Sequence, residues 1–493
     1  MLFNSFHFLL FFPIVVLLYF LIPKSLKNLW LLAASCYFYI SWNAKYMLLL
    51  FFSTAVTYAS GLLLAYFSAK NSRKWKKIIV GISFFLNLSL LFWFKYFDFI
   101  IVNINRILSG LHMRLLNPAF DILLPVGISF YIFQALSYTM DVYREETKVE
   151  RNFMKYALFV SFFPQLVAGP IERSKNLLCQ LGENHSFEFE RVREGLLLML
   201  WGYFLKLAVA DRIAVVVDTV YGDYAAYGGG YLVVASVLFA FQIYGDFAGY
   251  STIAAGAAQV MGFHLMENFD CPYFSQSVSE FWRRWHISLS TWFRDYLYIP
   301  LGGNRKGTLR KQFNILVVFL MSGLWHGAQW SFVVWGGLNG VFQIAGDCLK
   351  PVRDKLNRIF CLDRDTLGHK AAKVFVTFLL VDFTWVFFRA DQLKDAFLII
   401  KSILSVHNPW IFFDNSLYDL GLSRREFQVM LFSTGILLVS DFLKYRGIRI
   451  RKVIVQQELW CRWLCYISAV MFVLLFGVWG SAYNESSFIY FQF

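Results

Sequence analysis

Two histidines stand where an imidazole is costly to place. His326 lies in an apolar run that opens near Asn314 and reads MSGLWHGA from Met321. At about 1.5 Å per residue, a helix starting at Asn314 puts His326 about 12 residues and roughly 18 Å along its axis, past the middle of a membrane. Because burying an ionisable group at that depth costs free energy, the position is a functional-site hypothesis. Gly323 and Gly327 flank it, and their missing side chains let another backbone or a substrate approach.

The second histidine, His286, lies in the aromatic and basic run FWRRWHISLS, and Arg294 and Asp295 follow it two turns later. A neutral imidazole can accept a proton near pH 7 without large tuning. Two such rings inside a membrane indicate proton-transfer chemistry. A structural alternative stays open on these residues alone, in which each ring hydrogen-bonds a buried carbonyl and only ties helices together.

Other polar positions in the apolar runs carry weaker signals. Asp246, in the run YGDFAGYS, is predicted to cap a helix at a break between the two spans Tyr231–Tyr244 and Ala248–Phe263. Gln165 lies in the run PQLVAGP, whose prolines and glycine predict a kinked or broken helix. Breaks of this kind either line a funnel or simply pack.

Several motif classes are absent from the sequence. There is no P-loop and no Rossmann glycine fingerprint, which argues against phosphate-transfer energy coupling. HEXXH, GxSxG and HxxxH patterns and clustered carboxylates are also missing, so no metal site is predicted. The seven cysteines include no CxxC pair, which predicts neither a disulfide framework nor a zinc site.

The elements that position these residues must lie in a membrane. Hydrophobic residues make up 58% of the 493-residue chain and charged residues only 16%, which is too little polar surface for several soluble domains. Aromatic residues reach 20%, as suits a body bathed in lipid. The net charge is +14, and because the charges sit in short loops they indicate cytoplasmic retention of those loops and not nucleic-acid binding.

A membrane helix needs about 20 mostly apolar residues, and the apolar runs accommodate about twelve crossings. The start of the chain lacks a signal-peptide pattern and reads as a first membrane helix. Basic clusters at Lys70–Lys77 and Lys444–Lys452 predict cytoplasmic loops, which places both termini on the extracytoplasmic side. The segment Glu280–Arg305 is too polar for a lipid-facing span, so we expect it to be partly re-entrant.

Two long runs resemble the signature of the membrane-bound O-acyltransferases, namely Glu280–Asn304 and Ser322–Trp330. Three further runs and the opening residues Met1–Pro13 also resemble this family, and its bacterial alginate O-acetyltransferase branch in particular. These three runs are Leu124–Tyr131, Phe163–Ile171 and Met266–Phe269. The likeness covers nearly the whole chain with several long motifs in order.

The resemblance implies an all-α polytopic membrane protein with about twelve helices and re-entrant segments around a central funnel. It implies an O-acyltransferase domain over residues 1–479, with its active-site-bearing stretch at about 280–330, and an extracytoplasmic aromatic tail over 480–493. In the family, the histidine at the position of His326 is the main catalytic residue and the one at His286 is a second functional residue. The acyl donor enters from the cytoplasm and the acceptor approaches from outside.

The implied chemistry needs a base and hydrogen-bond donors for the negative charge that develops on the acyl carbonyl. A hydroxyl is a weak nucleophile at neutral pH, so His326 would take its proton. His286 or the indole N–H of Trp325 would stabilise the negative charge on the acyl carbonyl. A thioester donor such as acetyl-CoA is already activated, so no bound cofactor is expected. We assign substrate binding to four residues: Trp325, Arg284, Asp295 and Gln165.

The end of the chain, SFIYFQF, resembles the C-terminal aromatic motif that related envelope-acylation systems use as an acyl relay. By this likeness Tyr490 would accept the acyl group with His326 as base. A partner esterase-like acyltransferase would then pass the group to a polymer. The phenol needs an adjacent base because its pKa is near 10, yet it forms a more reactive ester than a sugar does. The alternative is that the tail is an apolar end lying at the membrane interface.

These observations predict a multi-pass acetyltransferase of a bacterial plasma or inner membrane that serves an extracytoplasmic polysaccharide. Its expected contacts are the acceptor polymer, a partner protein and membrane lipid, with no nucleic acid. Three alternatives stay open: D-alanyl transfer to teichoic acid from a carrier protein, a proton-coupled transporter, and a structural export component. The transporter is disfavoured because no internal repeat is visible.

Overall fold

The structure is a computed structural model that describes residues 1–116, 124–167, 169–360, 363–479 and 489. Across these residues the secondary structure is helical and no β-strand occurs. The chain divides into two compact units. The first comprises Met1–Met199 and Ser251–Met266, and the second comprises Leu200–Tyr250 and Glu267–Phe493.

The first unit is built around a group of buried helices that contact one another through small and hydroxylated residues. Its helices are α1 (Phe6–Leu21), α2 (Lys24–Ile40), α3 (Met47–Ala69), α4 (Arg73–Leu91), α5 (Phe97–Gly110), α6 (Ile128–Tyr143), α7 (Phe153–Ser161), α8 (Phe163–Leu166), α9 (Ser174–Gln180) and the start of α10 (Phe189–Tyr203). The Tyr156 hydroxyl donates to Thr57 Oγ1 at 2.7 Å. Gly61 lies directly beneath the Tyr138 ring, where a Cβ would meet the ring at 2.7 Å. Polar side chains therefore join α3 to α7 within an otherwise apolar interior.

The second unit continues from α10 through a π-helical segment, Phe204–Ala210, into the next helices. Its helices are α11 (Asp211–Gly222), most of the long α12 (Gly229–Met261), α13 (Val278–Arg284), α14 (Ile287–Phe293), α15 (Thr308–His326), α16 (Trp330–Cys348), α17 (Lys350–Ile359), α18 (Leu367–Arg389), α19 (Leu393–Ser405), α20 (Arg424–Tyr445), α21 (Ile450–Val455) and α22 (Leu459–Phe476).

Within the second unit, α15 and α16 form a closely packed hairpin. A Cβ at Gly323 would overlap the carbonyl oxygen of Phe332, and a Cβ at Gly336 would overlap that of Phe319. Two backbones thus meet where side chains would otherwise separate them. This confirms the expectation that Gly323 admits another backbone next to His326. Gly327 likewise leaves room for the ring of Phe332, which a Cβ at this position would overlap.

The all-α polytopic class is confirmed. Among the described residues, six helices are long and apolar enough to cross a membrane, or seven if the bent pair α16 and α17 forms one span. This is fewer than the predicted twelve or so, because other apolar runs lie on shorter helices, such as the 16-residue α1 and the 9-residue α7.

The predicted helix break at Asp246 is wrong. Helix α12 runs without interruption for 33 residues and merges the two spans expected on either side of Asp246. The carboxylate does not cap a helix because Asp246 lies in the interior of α12, where it pairs with the ammonium of Lys206. A buried ion pair therefore accounts for the charge that suggested a helix end.

The polar stretch between α12 and α15 is broken, as expected from its composition. It contains a short 3₁₀ turn and then α13 and α14, each only seven residues long. A π-helical segment, Arg294–Tyr298, and a run of turns follow before α15 begins. None of these pieces has the length of a membrane span. The re-entrant arrangement itself stays a prediction.

Candidate active site

His326 is the last residue of α15, a 19-residue helix that begins at Thr308. The imidazole therefore lies about 27 Å from the start of the helix, farther along than the sequence predicted from Asn314. The helix ends because Gly327 adopts an extended backbone and α16 begins at Trp330. His326 is 4% exposed and thus sits in a nearly dry environment at the turn of the α15–α16 hairpin.

A backbone hydrogen bond determines which ring nitrogen of His326 is basic. Nδ1 lies 2.7 Å from the carbonyl oxygen of Ser322, one helical turn earlier. Because a carbonyl can only accept, Nδ1 must carry the hydrogen and donate it. In the neutral ring the lone pair is then on Nε2. The helix itself orients the imidazole and leaves Nε2 as the atom that can take up a proton.

His286 is held at the junction of α13 and α14 by a buried polar network. Its backbone has φ +44° and ψ +54°, in the left-handed region that non-glycine residues rarely occupy. Asn268 Oδ1 accepts from the Ser288 backbone N–H at 3.1 Å and from the Ser288 hydroxyl at 2.9 Å. The same oxygen lies 3.2 Å from Nδ1 of His286, which must therefore donate. Strain of this kind is typical of functional sites, where the surroundings enforce it.

The two imidazoles lie near each other within the second unit. Their ring centroids are 6.3 Å apart, and the planes are inclined by 78°. The Trp325 ring lies beside both histidines, 5.0 Å from His326 and 5.9 Å from His286. The structure thus brings His286, His326 and Trp325 together, as the sequence predicted for the site. Their chemical roles stay predictions.

Further aromatic rings pack against both members of this histidine pair. The ring of Phe247, on α12, stands perpendicular to His286 at 4.6 Å. The rings of Trp335 and Phe388, on α16 and α18, lie 4.8 Å and 5.7 Å from His326. Because these side chains are apolar at their faces, they exclude water and strengthen any electrostatic interaction at the pair.

Trp335 was missed by the sequence analysis. It is fully buried, and its indole N–H has no hydrogen-bond acceptor within the described part of the chain. Asn339, one turn later, donates to the Trp335 carbonyl at 2.9 Å and accepts from the indole N–H of Trp282 at 3.2 Å. An unused buried donor costs free energy unless something accepts from it. The sequence signal was one tryptophan among sixteen, with nothing to separate it from a core residue.

Two of the predicted substrate-binding residues, Arg284 and Asp295, have ionic partners of their own. The Arg284 guanidinium lies 3.0 Å from Glu280 and 3.4 Å from Asp270, and its side chain is 23% exposed. Asp295 accepts from Nε of its neighbour Arg294 at 2.8 Å. These ion pairs give both side chains structural partners, and substrate binding by either stays a prediction.

Gln165 belongs to the first unit, on the short helix α8. It is buried, and its side-chain N–H donates to the carbonyl of Phe159 at 2.9 Å. The break expected around it is present, because α7 ends at Ser161 and α8 spans only Phe163–Leu166. Its assignment to substrate binding stays a prediction. Tyr490 lies outside the described residues.

Comparison with known proteins decides the family. The model of the membrane-bound O-acyltransferase family matches residues 36–380, which include both histidines and most of the chain. The chain belongs to the membrane-bound O-acyltransferase family. The resemblance seen in the sequence is thereby confirmed, and the protein is a multi-pass membrane acyltransferase.

Relatives of this O-acyltransferase narrow the comparison. A protein of Pseudomonas putida named "Probable alginate O-acetylase" is 36% identical, with the whole of both chains covered. A peptidoglycan O-acetyltransferase of Helicobacter pylori is 34% identical over 80% of this chain and 78% of its own length. A teichoic acid D-alanyltransferase of Streptococcus thermophilus is 26% identical over 53% of this chain and 68% of its own. The two O-acetylating relatives therefore share more of this O-acyltransferase than the D-alanylating one does.

Proposed function

We propose that this O-acyltransferase moves an acetyl group from acetyl-CoA on the cytoplasmic side to an extracytoplasmic polysaccharide, with His326 as general base. The observation that carries the proposal is the hydrogen bond from His326 Nδ1 to the Ser322 carbonyl. It supports the proposal because the lone pair of this nearly buried neutral imidazole is then on Nε2, where activation of a hydroxyl would need it. Whole-length similarity to a protein named as an O-acetylase supports acetyl as the group transferred.

The proposed reaction balances without another reactant. Nε2 of His326 takes the proton of the acceptor hydroxyl while the hydroxyl oxygen attacks the thioester carbonyl carbon. The tetrahedral intermediate then breaks its carbon–sulfur bond, and the leaving thiolate recovers the proton from the imidazolium. The products are the new ester and the free thiol of coenzyme A. A base that later acts as an acid needs to lie within reach of both oxygen and sulfur.

The oxygen of the intermediate carries negative charge and needs donors. We propose Trp335 as one of them, because its indole N–H is buried without an acceptor and its ring lies 4.8 Å from His326. Trp325 remains a second proposed donor beside the same ring. His286, whose Nδ1 donates to Asn268, is proposed as the second functional histidine beside His326.

The immediate acceptor in this proposal is the phenol of Tyr490. The acetyl group would pass from this residue to the polymer through a partner esterase-like acyltransferase outside the membrane. This arrangement agrees with the proposed topology, in which both termini are extracytoplasmic and the protein lies in a bacterial plasma or inner membrane. Direct transfer from the thioester to the polysaccharide is the competing route.

D-alanyl transfer is the second candidate, because the D-alanyltransferase relative shares part of the chain. Its lower identity and shorter coverage favour acetyl. The proton-coupled transporter and the structural export component lose their support, because the chain belongs to an acyltransferase family.

The decisive experiment is the intact mass of the purified protein in nanodiscs after incubation with acetyl-CoA, followed by peptide mapping. The expected result is one added acetyl group on Tyr490 that is absent from His326→Ala and from Tyr490→Phe. His407→Ala is the matched control, because His407 is exposed in a loop, and it should be acetylated normally. An adduct that forms only with a D-alanyl carrier protein would favour the second candidate. Acetylation of added polysaccharide by Tyr490→Phe would refute the relay.

A further inference from the structure

A buried ion cluster in the second unit has no part in the reaction proposed above. It consists of Lys206, Asp211 and Asp246. Nζ of Lys206 lies 2.8 Å from Oδ1 of Asp211 and 2.7 Å from Oδ1 of Asp246, and each of the three side chains is at most 3% exposed. Ionisable groups inside a membrane protein are costly to keep and commonly mark a functional site. The cluster therefore calls for a role beyond packing.

The backbone around the ion cluster is built to bring these charges together. Lys206 lies in the π-helical segment Phe204–Ala210, whose hydrogen bonds join residues five apart. Lys206 and Asp211 are consequently one turn apart. Gly249 of α12 packs on the same segment, and a Cβ there would lie 3.0 Å from the backbone nitrogen of Lys206. This close approach of the helices lets Asp246 reach Lys206.

The second carboxylate oxygen of Asp246 binds the end of the chain. Oδ2 accepts from the backbone N–H of Ile489 at 2.8 Å, and Ile489 is 2% exposed. A peptide N–H buried away from water needs an acceptor, and an ionised carboxylate is among the strongest available. The side chain of residue 489 does not take part in this bond, so the carboxylate recognises the course of the backbone.

Two further bonds attach the end of α22 and the residues just after it to the elements around the ion cluster. The Arg212 guanidinium donates to the carbonyl of Phe476 at 2.6 Å. The backbone N–H of Val478 donates to the carbonyl of Leu207 at 3.0 Å. The chain is therefore bonded to the π-helical segment and to α11 where α22 ends, and to α12 at residue 489.

One residue of the ion cluster is adjacent in sequence to a residue that contacts the histidine pair. Asp246 is followed on α12 by Phe247, whose ring stands 4.6 Å from His286. Ile489, which donates the hydrogen bond to Asp246, is followed in the sequence by Tyr490. The hydrogen bond from Ile489 to Asp246 thus links two sequence neighbours of the site. Ile489 precedes Tyr490, the proposed acyl carrier, and Asp246 precedes Phe247, which contacts His286.

We propose that Asp246, fixed by Lys206, is the docking site of the C-terminal tail and positions the tail for acyl transfer. Asp246 is a positioning residue, because it binds the backbone of residue 489 and not the reacting atoms. The inference rests on the proposed function for the role of Tyr490, but the docking itself does not depend on that role. The occupant of the site is the chain's own terminal segment.

The docking is tested by hydrogen–deuterium exchange of the C-terminal peptide in the full-length protein in nanodiscs. In the unmodified protein the amide of residue 489 should exchange slowly. Asp246→Ala should raise its exchange rate by about 10-fold or more, because a hydrogen bond to a charged acceptor is lost. Asp382→Asn is the matched control, since Asp382 is another buried carboxylate of the second unit that accepts from Ser236 at 2.9 Å. This control should leave the exchange of residue 489 unchanged.

A second pair of variants leaves the ion cluster intact. Ile489→Pro removes the N–H that Asp246 binds, whereas Ile489→Ala keeps it. Ile489→Pro should slow acylation of Tyr490 by about 10-fold or more, and Ile489→Ala should slow it much less. Combining Asp246→Ala with Ile489→Pro should add little to either change, because both remove the same bond.

The outcomes separate docking from chemistry. Unchanged exchange at residue 489 in Asp246→Ala would overturn the inference. If the unmodified protein is acylated on Tyr490, equal acylation rates in Ile489→Pro and Ile489→Ala would also overturn it. Loss of protection in Asp246→Ala with no acyl adduct on the unmodified protein would support the docking site while refuting Tyr490 as carrier. His326→Ala should abolish the adduct and keep the slow exchange, which distinguishes failure of the base from failure of the dock.

Discussion

The carbonyl oxygen of Ser322 lies 2.7 Å from Nδ1 of His326, one turn along the same helix. A carbonyl oxygen has two lone pairs, so the Ser322 oxygen can accept from the side chain at the very end of α15 as well as from the helical backbone. This bond ties the imidazole to the last turn of the helix and sets the tautomer of the proposed base. Structure and chemistry at this position cannot be separated.

Replacing His326 tests the base. His326→Ala should lower the rate of acetyl transfer by about 1,000-fold, because general base catalysis typically contributes between about 100- and 10,000-fold. The measurement is single-turnover acetylation with labelled acetyl-CoA, with the thermal transition recorded alongside to show that the variant is folded. His407→Ala should match the unmodified enzyme. A folded His326→Ala enzyme with full activity would contradict the assignment.

Replacing Trp335 tests the oxyanion donor. Trp335→Phe keeps an aromatic ring beside His326 but removes the indole N–H. We expect kcat to fall by about 100-fold with little change in KM, since a donor of this kind acts mainly in the transition state. Trp385→Phe is the matched control, because Trp385 stacks on Trp335 at 5.7 Å and is also buried. Equal losses in the two variants would indicate packing and not catalysis.

The close contact of α15 and α16 predicts a stability effect. In Gly323→Ala the new Cβ would overlap the Phe332 carbonyl, so the helices must separate. Overpacking of this kind costs about 1–3 kcal/mol, and the thermal transition should fall by several degrees. Gly346→Ala, on α16, is the control, because its added Cβ would enter open space among the described residues. It should leave the transition unchanged or raise it slightly.

Glu172 predicts how the stability of the first unit depends on pH. This carboxyl is fully buried between α8 and α9, and burial raises its pKa from 4.5 to about 7 despite hydrogen bonds from the Met266 backbone and the Asn176 amide. The folded state therefore holds a proton that the unfolded chain releases near pH 4.5. The stabilisation is complete below that pH and is lost as the pH rises toward 7.

Glu172→Gln removes this titration and provides the test. The free energy of unfolding of the unmodified protein should decline between about pH 5 and pH 7, by on the order of 3 kcal/mol over the whole range. In Glu172→Gln that decline should be much smaller. Thermal scans across this pH range measure it, and parallel pH profiles for the two proteins would contradict the prediction.

Much of the class and part of the site could be predicted from the sequence. Composition and run length indicated an all-α membrane protein, and the two histidine motifs predicted residues that the structure places 6.3 Å apart. Gly323, one turn before His326, correctly predicted a close backbone approach. These features are local or depend on residue type, and a single sequence carries that information directly.

The rest depends on contacts between distant residues. Asp246 resembled a helix cap because its partner, Lys206, is forty positions earlier in the chain and no local pattern joins them. Trp335 was indistinguishable from a core tryptophan until its ring was found beside His326. The tautomer of His326 likewise required the position of a carbonyl oxygen.

The contact of α15 with α16 limits how this enzyme can adapt to different substrates. Where two main chains touch at Gly323 and Gly336, there are no side-chain rotamers to absorb a displacement. His326 and Trp335 are therefore carried on one stiff frame, and their spacing is a property of the backbone. Adaptation to a different acyl group or acceptor must come from the walls contributed by other segments, while the proposed base and its donor keep a common geometry.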